Sequence, residues 1–190
     1  VRAGAQAPRR RPLSGSLWSR TAGFIAANRA ILEAARPLLE PGKTPSAVIF
    51  PGIEDPGPPA PFPVGGPVIG ILGRLDPVKG HEVFLQAAAL ILRRVPEASF
   101  LAAGREENAK TAKLQSLARE LGIGGRVRFL GHVPDAAAFM RGCHLGVVAS
   151  LGSEAVSRAA VEWLACARPL GASSVGCLPE YLEGCEGGEL

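Results

Sequence analysis

From position 68 onward the chain alternates short runs of uniformly apolar residues with longer stretches in which apolar residues recur every three or four positions. A run that is apolar at every position predicts a strand buried on both faces, and the longer pattern predicts a helix that buries one side. Strands of this kind, each followed by a helix, are typical of a parallel sheet covered by helices. The alternation therefore predicts an α/β domain with a parallel sheet and helices on both of its faces.

The predicted elements follow one another from the first apolar run, VIGIL, to residue 172. Strands are predicted at residues 68–72, 99–103, 127–130, 145–149 and 169–172. Helices are predicted at residues 81–94, 110–121, 136–141 and 157–167, with Gly122 closing the second of them as its C-terminal cap. We therefore expect five strands connected by four helices.

Six prolines within residues 56–67 separate this domain from the preceding part of the chain. Proline has a fixed φ and no backbone N–H, so such a segment continues neither a helix nor a central strand, and it predicts an interdomain linker. Before it, strands are predicted at residues 23–27 and 47–50, and a helix capped by Asn28 at residues 29–39. Residues 1–55 are accordingly interpreted as the end of a first domain, and residues 68–190 as a second.

The net charge of +4 is concentrated at the N-terminal end of the chain. Five arginines stand among the first twenty residues without an acidic residue, so the remaining chain carries a net charge of −1 (4 − 5). A basic segment rich in Ala, Pro and Ser is typical of a solvated chain end, and contact with acidic lipid headgroups is the weaker alternative. We therefore expect no nucleic-acid partner and retain a peripheral membrane contact as a hypothesis.

The cysteines and histidines give no sign of a metal site. Cysteines occur at positions 143, 166, 177 and 185 without Cys-x-x-Cys spacing, and they are predicted to be reduced, small core residues. The histidines, His81, His132 and His144, are too scattered to predict a metal cluster and are interpreted as structural. No apolar run approaches the roughly 18 to 20 residues of a membrane span, and no secretion signal opens the chain, so a cytoplasmic protein is expected.

The loop after the first predicted strand, GRLDPVKG at residues 73–80, carries two cations. In open parallel sheets ligands bind at the carboxyl ends of the strands, beside helix N-termini with partial positive charge. Arg74 supplies a planar fork and Lys79 a mobile point charge, which together suit two linked phosphates. A salt bridge of these cations with Asp76 or Glu82 explains them equally well. The residues beside the lysine exclude a P-loop, and the glycine spacing excludes a dinucleotide fingerprint.

Two further loops lie at the same edge of the predicted sheet. In SLGSEAVSRAAVE, residues 150–162, Glu154 stands in a small polar turn and Glu162 lies about two turns into the following helix. An ionised carboxylate accepts hydrogen bonds from two adjacent hydroxyls, which a ribose or a hexose offers. GHVPD, residues 131–135, follows the third strand, where its backbone can contact a flat base. A strand-to-helix turn with Asp135 as N-cap explains that sequence equally well.

Taken together, GRLDPVKG, GHVP, and the two glutamates followed by ACARPLGASSVGCLPE resemble the nucleotide-sugar-binding half of the family 4 retaining glycosyltransferases, the group 1 transferases with two Rossmann-like domains. The resemblance covers about residues 68–183, with the motifs in the right order. It implies a GT-B architecture, in which a Rossmann-like donor-binding domain is preceded here by a fragment of a second Rossmann-like domain. It also implies retaining, metal-independent transfer of a sugar from a UDP-, GDP- or ADP-sugar to a glycan, lipid-linked or lipopolysaccharide-type acceptor. Such reactions belong to cell-envelope biosynthesis, in the cytoplasm or at the inner membrane surface.

The resemblance also assigns roles to individual residues. Arg74 and Lys79 match the basic pair that binds the donor diphosphate and stabilises it as it leaves, and Gly73 opens their loop. Glu154 matches the acid that faces the donor sugar, and it completes the set assigned to catalysis with the two cations. The remaining residues implied to bind the nucleotide-sugar are Glu162, on the ribose hydroxyls, His132 and Val133, beside the base, and Ala155, Val156, Ser157 and Arg158, in place of the family's glycine-rich turn. The sequence AVSR lacks both glycines of that turn, which bears on the donor sugar.

Two other classes of protein share this architecture. One is a non-catalytic nucleotide-binding or interaction module, because a fold does not by itself imply activity. The other is a sugar-nucleotide epimerase. For the transferase, the resemblance implies that most of the acceptor-binding half is missing before residue 20, so we expect donor binding without glycosyl transfer. The sugar, the base, the acceptor and the oligomeric state are not determined by the sequence.

Overall fold

The computed structural model describes residues 17–152, 154–185 and 187–189 and divides the chain into two compact units, Val1–Gly52 and Ile53–Leu190. Most of the basic N-terminal segment therefore lies outside the described residues. In the first unit, strand β1 (Phe24–Ala26) pairs in parallel with β2 (Ser46–Val48), and helix α1 (Arg29–Ala35) connects them. Asn28 caps this helix as predicted, because its side chain accepts a hydrogen bond of 2.8 Å from the Ile31 N–H.

Helix α1 is shorter than the predicted 29–39. It ends at Ala35 and continues as a 3-10 turn, Arg36–Leu38, with Pro37 near its start. Proline lacks the N–H that an α-helix needs at this position, and its ring collides with the carbonyl four residues earlier. The tighter turn is the local result.

The second unit is built on one six-stranded sheet. The strands are β3 (Val68–Leu72), β4 (Ser99–Ala103), β5 (Val127–Gly131), β6 (Leu145–Val148), β7 (Leu170–Ala172) and β8 (Gly188–Glu189). The helices are α2 (His81–Leu92), α3 (Thr111–Glu120), α4 (Ala136–Arg141), α5 (Arg158–Ala165) and α6 (Leu178–Leu182). Shorter 3-10 turns occupy Pro77–Lys79 and Gly124–Arg126. All neighbouring strands pair in parallel, which confirms the predicted sheet.

The strand order, β5-β4-β3-β6-β7-β8, reverses direction between β3 and β6. The chain builds outward from β3 to β5 and then crosses over to build from β6 to β8 on the other side. This is the order of the doubly wound Rossmann fold, in which the loops after the two central strands part and leave a crevice at their carboxyl ends. The topology therefore places a crevice between the loop after β3 and the loop after β6.

Alternate residues along the strands pack into two separate cores, which shows that both faces of the sheet are covered. On one face Ile69, Ile71 and Phe100 pack with Phe84 and Leu85 of α2. The second core contains Phe139, Met140, Ala160, Trp163 and Leu178, from α4, α5 and α6. Burial of apolar surface on both faces explains why β3 is apolar throughout.

A pair of glycines makes room for the largest side chain of the second core. Gly70 of β3 and Gly146 of β6 are directly paired, and Trp163 of α5 is fully buried against them. A Cβ at Gly146 would lie 2.2 Å from the indole, and one at Gly70 would lie 3.0 Å from it. The absence of side chains at these two positions therefore sets how closely α5 approaches the sheet.

Residues 56–67, predicted to be a linker, pack within the second unit. The buried guanidinium of Arg168 donates hydrogen bonds of 3.0 Å to the carbonyls of Ala60 and Pro61 and lies 4.7 Å from the centre of the Phe62 ring. Arg141 donates to the carbonyl of Pro56. Two arginines thus hold a segment that cannot form strand or helix hydrogen bonds. Its role as a link between domains stays a prediction.

Three of the four cysteines are buried and unpaired, as predicted, but the prediction of a core position is wrong for Cys185, which is exposed. Cys185 follows the short helix α6, where the chain returns to the surface before β8. Among the helices of the described residues, none is both long and apolar enough to cross a membrane.

Candidate functional site

A cavity of about 500 Å³ lies at the carboxyl ends of β3 and β6, in the crevice that the strand order creates. Its walls are the loop after β3, the loop after β6 and the first turns of α2 and α5. The polar and loop residues that line it are Gly73, Arg74, Lys79, His81, Ser150, Glu154, Val156, Ser157, Arg158 and Glu162.

The loop after β3 is fixed to the end of β6 by close backbone contact. Gly80 has a φ of 71°, and a Cβ there would lie 1.8 Å from the carbonyl oxygen of Ala149, so only glycine fits. The Leu151 N–H donates a hydrogen bond of 2.8 Å to the Val78 carbonyl. These contacts hold Lys79 next to the loop after β6.

Asp76 shapes the same loop from within. Its carboxylate accepts hydrogen bonds from the Val78 N–H, at 2.9 Å, and from the Asn108 side chain, at 2.5 Å. The Val78 N–H, followed by the Asn108 amide, lowers the pKa of the Asp76 carboxyl below its usual value. Asp76 is thus a capping residue of the 3-10 turn that presents Lys79.

Glu154 is almost completely buried, and its charge is paired with Lys79. The Lys79 ammonium donates to one carboxylate oxygen of Glu154, and the Ser150 hydroxyl donates to the same oxygen at 2.5 Å. Only 2% of the Glu154 side chain is exposed, against 24% for Lys79. A buried carboxylate needs such partners, because removing a charge from water without them costs several kcal/mol. The two predicted site residues are therefore each other's partners in this structure.

The alternative prediction from the sequence, a salt bridge of Arg74 or Lys79 with Asp76 or Glu82, is wrong because both cations pair with other acids. Lys79 pairs with Glu154 across the crevice, and Arg74 pairs with Glu107 in the loop after β4. Glu82 instead pairs with Lys113, at 2.7 Å. Both members of the Arg74 pair are largely exposed, so this contact is weak and leaves the guanidinium able to change partners.

Helix α5 carries the third cation and the second acid of the cavity. Arg158 opens the helix, Glu162 lies one turn further on, and the two side chains pair at 3.2 Å. Both residues also border an adjacent recess of about 390 Å³, whose wall includes Asp135 at the start of α4. Asp135 is the N-cap of that helix, as one interpretation of the sequence predicted, because it accepts 2.8 Å from the Ala138 N–H.

The cavity brings together eight of the eleven predicted site residues, and three lie elsewhere. His132 follows β5, at the edge of the sheet, where its ring nitrogen lies 3.3 Å from the Arg105 guanidinium. Val133 packs against the core beneath α4 and α5. Ala155 sits in the turn before α5 and does not border the cavity. Their role in binding the nucleotide-sugar stays a prediction.

Two polar residues of the cavity, Ser150 and His81, were given no role in binding from the sequence. His81, the first residue of α2, is 3% exposed, and burial lowers the pKa of its imidazole to about 4. Neither ring nitrogen has a hydrogen-bond partner among the described residues. In the sequence His81 was considered only as a metal ligand, but its position directly after the loop of Lys79 and Gly80 was the available signal.

The sequence model of the "Glycosyl transferases group 1" matches residues 66–190. Curated relatives include the D-inositol 3-phosphate glycosyltransferases of Mycobacterium tuberculosis and Mycobacterium bovis, which are 37% identical over 124 residues. That alignment covers 62% of this chain and 25% of each relative. The chain thus spans about a quarter of the length of the curated relatives it matches.

Several solved structures share the fold. HepE of Anabaena, in complex with UDP and glucose, superposes with a TM-score of 0.73 at 24% identity, over 89% of this chain and 49% of that chain. TarM of S. aureus, in a complex that includes UDP, gives a TM-score of 0.75 at 18% identity, over 89% and 33% of the two chains. A glycosyltransferase of Rickettsia africae gives 0.74 at 18% identity, over 88% and 49%.

Proposed function

Because the chain belongs to the group 1 glycosyl transferases, whose sequence model matches residues 66–190, we propose that its second unit binds the nucleotide-sugar donor of a retaining, metal-independent glycosyl transfer. The observation that carries this proposal is the pairing of Lys79 with the buried Glu154 inside the crevice between β3 and β6. A buried carboxylate and a partly exposed cation that border an open cavity are suited to exchange partners with a ligand that offers both phosphate and hydroxyl groups.

Arg74 and Lys79 are proposed to bind the diphosphate. When the bond between the sugar and the diphosphate breaks, negative charge develops on the leaving phosphate. Cations fixed beside it stabilise that charge more in the transition state than in the ground state, which is the condition for catalysis. The weak, exposed pair of Arg74 with Glu107 supports this role, since the guanidinium gives up little to turn toward a phosphate.

The two glutamates are proposed to bind hydroxyl groups. Once a diphosphate attracts Lys79, the Glu154 carboxylate keeps the Ser150 hydroxyl and has lone pairs left for the donor sugar. Glu162, which lines the same cavity, takes the ribose hydroxyls after Arg158 releases it. Val156, Ser157 and Arg158 line the same cavity, so their side chains take up room next to the proposed place of the donor sugar.

The base is proposed to lie toward the loop after β5. His132 and Val133 contact it through their main chain, Gly73 borders the diphosphate, and Ala155 shapes the turn before α5. UDP is the first nucleotide to test, because the similar structures of HepE and TarM hold UDP. GDP and ADP remain alternatives to UDP. The acceptor of the transfer is proposed to be a glycan or a lipid-linked molecule.

Calorimetric titration with UDP, GDP and ADP tests the proposal. We expect one nucleotide to bind, and Arg74→Ala and Glu162→Ala to weaken it about tenfold or more, the loss for a hydrogen bond to a charged group. Lys79→Ala is expected to do the same, with its folding checked by circular dichroism because it leaves Glu154 buried and unpaired. Lys43→Ala and Glu120→Ala, exposed and outside the cavity, are the controls.

The proposed donor site would be refuted if none of the three nucleotides binds, or if the affinity is the same in the unchanged chain and in the three cavity variants. EDTA is expected to leave the affinity unchanged, since no metal ion takes part in the proposed binding. We further expect no glycosyl transfer from the chain by itself. Conversion of a sugar nucleotide without any acceptor would favour the epimerase in its place.

A further inference from the structure

His81 lines the cavity with a buried imidazole that makes no hydrogen bond to the described residues. The side chain is 3% exposed, and both ring nitrogens lack a partner within the described part of the chain. Buried polar atoms are paired in the great majority of cases, because leaving one unmet costs about 1–3 kcal/mol. An apolar side chain at this position would avoid that cost, so the imidazole calls for a ligand-based explanation.

The ring lies beside the loop proposed to bind the diphosphate. A Cβ at Gly73 would lie 4.0 Å from Cε1 of His81 and 3.9 Å from Cγ of Lys79, so the imidazole and the lysine stem face the same backbone. His81 also opens the twelve-residue helix α2, whose N-terminus carries partial positive charge. Imidazole, lysine and helix N-terminus are thus directed at one region of the cavity.

The protonation state of the imidazole depends on its burial and on the charged groups around it. Those that border the cavity or lie in the neighbouring loop and helix are Arg74, Asp76, Lys79, Glu82, Glu154, Arg158 and Glu162. The acids among them already have partners: Lys79 for Glu154, Lys113 for Glu82, Arg158 for Glu162 and Asn108 for Asp76. None of them donates to or accepts from the ring. Burial therefore dominates, and the imidazole is neutral at pH 7, with one N–H donor and one acceptor nitrogen.

We propose that the His81 imidazole donates a hydrogen bond to the diphosphate of the bound nucleotide-sugar, and that it takes up a proton when the diphosphate enters the cavity. This inference rests on the proposed function of the same cavity. A diphosphate supplies acceptor oxygens for the unmet N–H, and its negative charge favours the imidazolium form.

Proton uptake is measured by titrating the full chain with UDP near pH 6 in two buffers of different ionisation enthalpy. The phosphate of UDP also titrates near pH 6. The relevant quantity is therefore the difference in proton uptake between the unchanged chain and His81→Gln, which can donate a hydrogen bond but cannot gain a proton. We expect uptake to be smaller in His81→Gln, and the UDP affinity to fall about tenfold in His81→Leu, which can do neither.

Stability separates a ligand contact from a merely structural role. His81→Leu removes two unmet polar atoms from a buried site, so the ligand-free chain is expected to unfold at the same temperature or a higher one even as its affinity for UDP falls. His144→Gln is the matched control, because His144 lies outside the cavity and its Nδ1 already accepts 3.0 Å from the Val68 N–H. It is expected to leave both proton uptake and affinity as they are.

Each outcome decides one part of the proposal. Equal UDP affinity of the unchanged chain, His81→Gln and His81→Leu would overturn the contact. Loss of affinity in His81→Leu with equal proton uptake in the unchanged chain and His81→Gln would overturn the protonation and leave the hydrogen bond. If the unchanged chain binds no nucleotide, the proposed function itself fails.

Discussion

Burial of a single imidazole makes the stability of this fold depend on pH. His81 has a pKa of about 4 in the folded chain, below its usual value of 6.5, so between these values the unfolded chain binds more protons than the folded one. Above about pH 6.5 His81 is neutral in both states and does not lower the free energy of unfolding. As the pH falls toward 4, protonation of His81 in the unfolded chain lowers that free energy. The loss amounts to about 3 kcal/mol in the free energy of unfolding.

Urea unfolding of the chain at pH 7 and at pH 4.5 measures this loss. The drop between the two pH values is expected to be smaller in His81→Leu than in the unchanged chain, because the variant has no imidazole to protonate on unfolding. Carboxylates such as Asp76 and Glu106, whose pKa values are lowered by hydrogen bonds, contribute equally to both chains and cancel in the comparison. Equal drops in the two chains would show that His81 is not neutral in the folded state.

At the level of single residues, sequence reasoning finds chemical type but not pairing. Arg74, Lys79, Glu154 and Glu162 were all selected for their charge, and all of them line one cavity. That Lys79 pairs with Glu154 follows only from the contact of β3 with β6, which joins residues 75 positions apart. His81 was missed for a related reason: its significance is its burial, which a sequence does not report.

Among the helices and strands, the position of α5 depends on the glycine pair beneath Trp163. We expect Gly146→Ala to lower the free energy of unfolding by about 3 kcal/mol, because a methyl group 2.2 Å from the indole must displace the helix or the strand. Since α5 carries Arg158 and Glu162, nucleotide affinity is expected to fall as well. Urea unfolding followed by tryptophan fluorescence measures the stability, and calorimetry measures the affinity.

Gly171→Ala is the matched control for this substitution. Gly171 is also a strand glycine, in β7, but a Cβ there meets no described atom within 4 Å. We expect its stability to stay within about 0.5 kcal/mol of the unchanged chain, as for most substitutions without a steric or polar cause. If both glycines tolerate alanine equally, close packing of Trp163 does not position α5.

The elements that the sequence predicted best are those with the clearest apolar pattern. All five strands of the second unit that were predicted are present, and α4 has the bounds 136–141 that were expected. Strand β8 was missed because Gly188 and Glu189 have no apolar pattern, and it forms only by pairing with β7. Helix α6 was missed because five residues, one of them Pro179, are too short to show helical periodicity.

For the second unit as a whole, two arginines attach the proline-rich segment to the folded core. Arg168→Ala removes the donors to the Ala60 and Pro61 carbonyls and the cation beside Phe62. We expect faster amide hydrogen exchange across residues 56–67 and a free energy of unfolding lower by about 2 kcal/mol, since hydrogen bonds to a charged group contribute about 1.5–3 kcal/mol. Mass spectrometry of exchanged peptides reports the first quantity and urea unfolding the second.

Arg94→Ala, in the exposed turn after α2, is the control, and it is expected to leave exchange in residues 56–67 unchanged. Unaltered exchange in Arg168→Ala as well would mean that the segment is held by its other contacts. In that case the prolines themselves, with their restricted φ angles, supply the rigidity.

The crossover from β3 to β6 also decides which form of the chain can hold a ligand. Because the two walls of the cavity come from segments about 75 residues apart, neither wall alone makes a binding site, and the unfolded chain offers none. A nucleotide that binds only the folded form stabilises it in proportion to the logarithm of its concentration, by about 2.7 kcal/mol at a hundredfold excess over Kd. The fraction of chains with nucleotide in the crevice and the temperature of unfolding therefore rise together as nucleotide is added.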